Sequence, residues 1–112
     1  MKKQEGIISK TKLSEWKSEH GAIYRTEMFG VAFIWRPLKR KEFVEVMANK
    51  DEDKSPDVLF YERQDSIVEK VVLHPEQEEL KKYLENRAGL AGVLSDEIME
   101  KSGFSNVLSD EL

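Results

Sequence analysis

The residue types that could do chemistry in this chain are few and scattered. Its 112 residues contain two histidines and no cysteine, which excludes disulfides, thiol catalysis and zinc sites built on cysteine. His20 and His74 have no second metal-type ligand at a recognised spacing. The acidic run Asp51–Asp53 lacks the glycine and the closing glutamate of an EF-hand loop. We therefore predict no catalytic residue, no metal site and no cofactor.

The best polar candidate for a binding site is a group of basic residues, which we call the basic cluster: Arg36, Lys39, Arg40 and Lys41. Positive charge at the start of a helix opposes the helix dipole, so its position here hints at a function. Three interpretations remain open. The cluster is a solvated helix start, a contact for an acidic partner such as the acidic part of a second copy, or a nucleic-acid contact.

The charge of the chain bears on these interpretations. Formal net charge is −4 and the pI is about 5.3. Residues 1–74 carry 14 basic and 13 acidic groups, whereas residues 75–112 carry 4 and 9. A general nucleic-acid-binding protein is expected to be basic, so this balance makes nucleic acid an unlikely partner. No stretch has the length of a transmembrane segment or the apolar run of a signal peptide, so we predict no membrane contact and a cytoplasmic location.

Two strand-like runs, residues 22–29 and 31–36, form the centre of the predicted fold. They are rich in aromatic and β-branched residues, and Gly30 suits a tight turn after Phe29. Pro37 ends the second run because proline cannot donate to a strand ladder. Both faces of the second run are apolar, so we expect a cover on each side.

The remaining patterns predict helices. Thr11 is the expected N-cap of the first, and Ser55 followed by Pro56 is the expected start of a longer one. Residues 67–73 fit the end of that helix or a strand. Gly89 and Gly92 interrupt the last helical region, as a corner or a place where another backbone comes close.

The predicted fold class is α+β: a β-hairpin or small antiparallel sheet packed by about four short helices. Residues 1–11 are predicted to be a flexible N-terminal segment, residues 12–104 a single domain, and residues 105–112 a short C-terminal tail. The sequence Val93–Ile98 recurs in similar form as Val107–Leu112, so the tail could be amphipathic and either cap the body of the domain or dock on a partner.

Three stretches together are similar to a known class of protein: residues 23–43, with Phe-Ile-Trp-Arg-Pro-Leu at 33–38, residues 71–75, and residues 89–104. This order resembles small proteins encoded in the tail modules of contractile-tailed bacteriophages, among them tail assembly chaperones and baseplate-hub assembly proteins. The resemblance implies a non-enzymatic protein that binds a structural tail or baseplate protein during assembly, in the host cytoplasm, or that stays in the virion.

On this hypothesis the partner would contact the two predicted strands, the basic cluster and the last helix. A homo-oligomer is also possible. The predicted partner-binding residues are Phe33, Trp35, Arg36, Lys39, Arg40, Lys41, Leu90, Leu94, Ile98 and Phe104. The alternative is a small regulatory nucleic-acid-binding protein that uses residues 36–41, and a small enzyme with an unrecognised carboxylate site is the third hypothesis.

Overall fold

Five α-helices and a three-stranded antiparallel sheet are formed by the residues that the computed structural model describes, 8–48, 51–104 and 108–112. In chain order the elements are α1 (Lys10–His20), β1 (Tyr24–Met28), β2 (Val31–Trp35), α2 (Arg40–Ala48), α3 (Pro56–Val71), β3 (Val72–His74), α4 (Gln77–Asn86), α5 (Leu90–Met99) and a wide helical turn (Glu100–Phe104), here the 100–104 turn. The predicted α+β class is confirmed. In these ranges no helix combines the length and apolar character needed to cross a bilayer.

The hairpin at the centre of the sheet forms as its sequence predicts. Strand β2 lies between β1 and β3, and Tyr24 pairs with Trp35 at its open end. Phe29 and Gly30 form the turn with φ values of 39° and 80°. Positive φ at both central residues is the requirement of the tight hairpin turn whose twist matches that of the strands.

One face of the sheet carries the hydrophobic core. Phe33 and Trp35 point into it and are 0 % and 1 % exposed. The Trp35 indole donates a hydrogen bond to Thr26 Oγ1 at 2.9 Å, so its only polar atom is satisfied. The helices complete this core with the apolar residues Ile67, Val68, Val71, Leu80, Leu90, Leu94 and Ile98.

The turn of the hairpin is attached to α4 through aromatic rings. The Phe29 ring lies 6.1 Å from Phe33 and 5.7 Å from Tyr83, measured between centroids. The Arg87 guanidinium covers the other side of Phe29 at 4.4 Å. These contacts offset the cost of holding a bulky residue at positive φ.

Helix α1 covers the second face of the sheet. Ile34, on that face, is 3 % exposed and lines a hollow together with Leu13 of α1. Trp16 lies beside Leu73 and His74 at the β3 end of the same face. No residue of α1 is buried, so this cover is thin.

The structure resolves several boundaries that the sequence left open or placed differently. The N-cap of α1 is Ser9 rather than Thr11, because the Ser9 hydroxyl accepts the Lys12 N–H at 3.0 Å and the helix starts earlier. Val71 ends α3 and Val72 begins the strand that pairs with β2.

The two glycines of the last helical region have different roles. Gly89 lies at the corner between α4 and α5, immediately before Leu90. Gly92 lies within α5, and a Cβ atom there would be 3.7 Å from the Gln64 side chain of α3. The corner and the close approach therefore both occur, although the approaching group at Gly92 is a side chain.

The structure describes only part of the predicted terminal segments. Residues 1–7 and 105–107 lie outside the described residues, as do Asn49 and Lys50. Lys10 and Thr11, predicted to be flexible, belong to α1. Residues 108–112 have no regular secondary structure and are exposed.

Gly30→Ala is expected to lower the free energy of unfolding by about 1 kcal/mol, because a Cβ atom disfavours positive φ. Gly89→Ala is the matched control. Its φ is −91° and a Cβ would meet open space, so we expect no loss of stability there. Urea unfolding of the two variants checks this, and an equal loss in both would contradict the assigned turn.

Candidate protein-binding groove

The basic cluster divides into one structural residue and three exposed ones. Arg36 is 13 % exposed, and its guanidinium donates two hydrogen bonds to the Glu42 carboxylate, at 2.9 and 2.7 Å. It donates two more, to the carbonyl oxygens of Pro37 and Lys70, both at 3.1 Å. Arg36 is therefore occupied within the domain, which removes it from the predicted partner-binding set.

Glu42 also explains why α2 tolerates a basic start. Its carboxylate accepts the backbone N–H of Lys39 at 2.9 Å, as the third helical residue does in a capping box. The hydrogen bonds from Arg36, with help from Lys39, lower the pKa of Glu42 from 4.5 to about 2. The carboxylate is ionised at neutral pH and offsets the positive charge around it. Lys39, Arg40 and Lys41 themselves are exposed.

Two further pKa shifts lie on α3 and the loop before it. Burial, with the nearby Glu62 charge, raises the pKa of Asp65. The hydrogen bonds from Lys54 to Glu62 raise the pKa of Lys54. No group of three or more His, Cys, Asp or Glu side chains in the described ranges is arranged to hold a metal ion.

Most of the predicted apolar contact residues lie in the core. Their side chains are at most 1 % exposed, so they present no free surface to a partner: Phe33, Trp35, Leu90, Leu94 and Ile98. The prediction that they touch a partner is corrected, because each packs against residues of its own chain. Phe104 differs, since it is 49 % exposed.

Phe104 belongs to an open groove between α2, α3 and α5, which we call the apolar groove. Its volume is about 390 Å³. The apolar side chains that line it are Phe43, Met47, Phe60, Ile67, Met99 and Phe104. Ile67 is 4 % exposed and forms the floor, whereas Phe60 is 55 % exposed and stands at the rim. The groove is thus a concave apolar surface with a buried base and exposed aromatic edges.

Polar groups in the groove serve mainly to hold its walls. Arg63 donates a hydrogen bond to the Met47 carbonyl at 3.3 Å, which joins α3 to α2. Ser95 donates to the Gly92 carbonyl within α5 at 3.1 Å. Gln64 and Asp96 complete the lining. The Arg63 hydrogen bond therefore joins two walls of the groove, α2 and α3.

The groove opens next to the basic end of α2. The rings of Phe43 and Phe104 are 4.9 Å apart, and the Leu38 N–H donates to Ser102 Oγ at 2.8 Å. Arg40 lies one helical turn before Phe43, so it shares the face of α2 that borders the groove. The exposed Arg40 therefore lies close to the apolar surface.

The sequence pattern indicates only some of the residues that line the groove. Phe43 and Met47 form a helical stripe, but Phe60 and Met99 were not singled out. The available signal is Val58–Tyr61, four consecutive apolar residues at the start of a helix. A helix can turn only one side to the core, so some of these residues had to be exposed. Three of them are: Val58, Phe60 and Tyr61 are 44 %, 55 % and 62 % exposed.

Glu42→Gln is expected to lower the free energy of unfolding by about 2–3 kcal/mol at pH 7, because the folded-state pKa lies below the unfolded one. The stabilisation is present above pH 4.5 and is lost as pH falls towards 2, so the difference from the parent protein should vanish there. Denaturant titrations across this range measure it. Glu27→Gln, in the exposed Arg25–Glu27 pair, is the control and should cost less than about 1 kcal/mol. A pH-independent loss in Glu42→Gln would contradict the assignment.

Substitutions at the groove rim should lower the free energy of unfolding less than substitutions in the core. Leu94→Ala is expected to cost about 2–5 kcal/mol, because it leaves a cavity beneath α5. Phe60→Ala should cost less than about 1 kcal/mol, because more than half of the ring is already in water. Thermal and urea unfolding test the pair, and similar costs would place Phe60 in the core.

Comparisons with known proteins identify a protein of similar fold but give no information on function. No protein-family model matches the chain, and no curated protein matches it. The solved structure of uncharacterised protein rbstp2171 from Bacillus stearothermophilus is similar, with a TM-score of 0.61 and 21 % sequence identity. The match covers 88 % of this chain and 99 % of that one. At this identity the similarity shows that the two chains share a fold.

Proposed function

We propose that this protein is a non-enzymatic assembly protein of a bacteriophage tail or baseplate, and that it binds a structural tail protein through the apolar groove. It would act in the host cytoplasm and could remain in the virion. The observation that carries the proposal is the exposed aromatic rim of a groove whose apolar floor is buried.

The groove has the properties of a protein contact site. Phe60 and Phe104 are about half exposed, and Tyr61, whose ring lies 5.3 Å from Phe60, is 62 % exposed. Aromatic side chains bury a large area with few rotatable bonds, so they are frequent at the centres of interfaces. Exposed apolar residues grouped in this way mark an interaction surface more often than scattered ones.

The shape of the groove favours a helical or extended segment of the partner over a small polar ligand. It is open, and residues of three helices line it. An amphipathic segment could place two or three apolar side chains against Met47, Met99 and the floor at Ile67. Its polar side would face water or the basic end of α2.

The sequence resemblance supplies the biological class. Of the three stretches that resemble phage tail-module proteins, residues 23–43 contribute Phe43 to the groove, and residues 89–104 contribute Met99 and Phe104. The stretch 71–75 lies in β3 and just after it, on the sheet. Two of the three stretches therefore meet at the proposed contact site, which supports a protein-binding role.

The proposal predicts selective capture of a tail or baseplate protein. The protein should be co-expressed with the tail tube, tape-measure and baseplate proteins of the phage or prophage whose genome encodes it, and recovered by an affinity tag. We expect one of these proteins to co-purify, and Phe60→Asp to reduce its recovery at least tenfold because a charge at the rim must be desolvated.

Val93→Asp is the matched control. Val93 is 52 % exposed and, although it lies on α5, it does not line the groove. It should leave recovery unchanged. Failure of all the co-expressed tail proteins to co-purify would overturn the proposed function, and equal loss in both variants would overturn the assigned site.

A further inference from the structure

Strand β1 forms an open edge of the sheet. The strand order is β1-β2-β3, and within the described ranges β2 is the only strand that pairs with β1. The opposite edge strand, β3, is only three residues long. Strand β1 has five residues, contains no proline and pairs with β2 in continuous register. An edge strand of this kind presents backbone groups to which a further strand can bind.

The hairpin turn determines which residues direct their backbone groups to this edge. Met28 and Val31 flank the two-residue turn, so they form the first hydrogen-bonded pair of the hairpin. Successive residues of a strand direct their backbone N–H and C=O groups to opposite sides. Those of Thr26 and Met28 therefore point to β2, whereas those of Arg25 and Glu27 point to the open edge.

The side chains of these two outward residues carry opposite charges. The side chains of Arg25 and Glu27 are 58 % and 62 % exposed, and they form an ion pair at 2.7 Å along the strand. A second copy can pair with this edge in antiparallel orientation, with the two-fold axis at Thr26. Arg25 of each copy then lies opposite Glu27 of the other, and the edge is complementary to itself in charge.

The backbone and the charges select the same register. Hydrogen bonds form only where outward residues of the two strands are paired, so the register can change only in steps of two residues. The next registers on either side would place the axis at Arg25 or at Glu27, with two arginines or two glutamates directly opposite each other. Opposite charges stabilise a cross-strand pair and like charges destabilise it, so the axis at Thr26 is favoured.

We propose that the β1 edges of two copies pair in this register and form a dimer with one continuous antiparallel sheet, to which each copy contributes its three strands. The contact is isologous, because both copies use the same strand. Backbone hydrogen bonds provide the affinity, and the Arg25–Glu27 pairs provide the register. No residue of β1 lines the apolar groove, so the dimer does not depend on the proposed function.

Sedimentation of the full chain over a wide range of concentration is the first test. The parent protein is expected to shift from monomer to dimer as concentration rises. Arg25→Glu gives the edge two acidic side chains and Glu27→Arg gives it two basic ones. Each variant alone should therefore have a dimer dissociation constant at least tenfold higher than the parent protein.

Two matched samples restore the opposite charges. In an equimolar mixture of Arg25→Glu and Glu27→Arg, every acidic position of one variant faces a basic position of the other. Heterodimers of nearly parental affinity should form. The double variant Arg25→Glu with Glu27→Arg exchanges the charges within one chain and should also dimerise like the parent protein. Both positions are exposed, so these variants should fold, and circular dichroism checks that they do.

A cysteine at the axis tests the register directly, since the chain has no cysteine of its own. The two copies of residue 26 would form a non-hydrogen-bonded pair, with Cα atoms about 4.5 Å apart, within the range that a disulfide spans. Thr26→Cys should therefore give a disulfide-linked dimer under mild oxidation. Val93→Cys, at an exposed position on α5, is the control and should cross-link much more slowly.

A parent protein that stays monomeric at every concentration would overturn the proposal. So would a dimer that the two single charge variants leave unchanged, a mixture of them that fails to associate, or equal cross-linking of the two cysteine variants. These results leave the proposed function intact, because capture of a tail protein is measured separately and depends on Phe60.

Discussion

The ion pair between Arg36 and Glu42 determines how the helices stand around the sheet. The Arg36 guanidinium contacts the start of α2 through Glu42 and the end of α3 through the Lys70 carbonyl. The Arg36 backbone N–H also donates to the Val71 carbonyl at 3.2 Å. A partly buried charge is tolerated when every donor has a partner, and a bidentate pair adds a fixed orientation. Helices α2 and α3 are two walls of the apolar groove, so this pair helps to join the elements that form it.

The groove is apolar because several apolar side chains of α2 and α3 lie outside the buried core. Helix α2 has nine residues and buries only Val46 completely, which leaves Phe43 and Met47 at the edge of the core. Helix α3 begins with four apolar residues in succession, of which three are exposed. Arg63 donates a hydrogen bond that joins α3 to α2, and Ser102 Oγ accepts the Leu38 N–H, which joins the 100–104 turn to the segment before α2. The result is an open apolar surface between α2, α3 and α5.

Local patterns in the sequence were sufficient for the hairpin and for most helices. Gly30 fixes the turn, and Pro56 after Ser55 fixes the start of α3, because each acts through its own backbone or its nearest neighbours. The role of Arg36 could not be seen in this way. Its partners are 6 and 34 residues away, and only the packing of three elements brings them together.

The candidate site was harder to predict than the fold for a related reason. Alternation along β2 shows that Phe33 and Trp35 share a face, but it does not show whether that face is covered by the same chain or by a partner. Core residues of α2, α3, α4 and α5 cover it, so both residues are buried. The same holds for Leu94 and Ile98 on α5. The exposed aromatic rim at Phe60 arises where helices of unequal length meet, and that information lies in the tertiary structure.

The central claim is that the apolar groove is the surface that binds a structural tail protein, and methionine methyl resonances test it directly. Met47 and Met99 line the groove, whereas Met28 packs against the core from β1. On titration with the tail protein that co-purifies, the methyl signals of Met47 and Met99 should shift and that of Met28 should not. Shifts confined to Met28, or saturating binding that leaves Met47 and Met99 unchanged, would contradict the account.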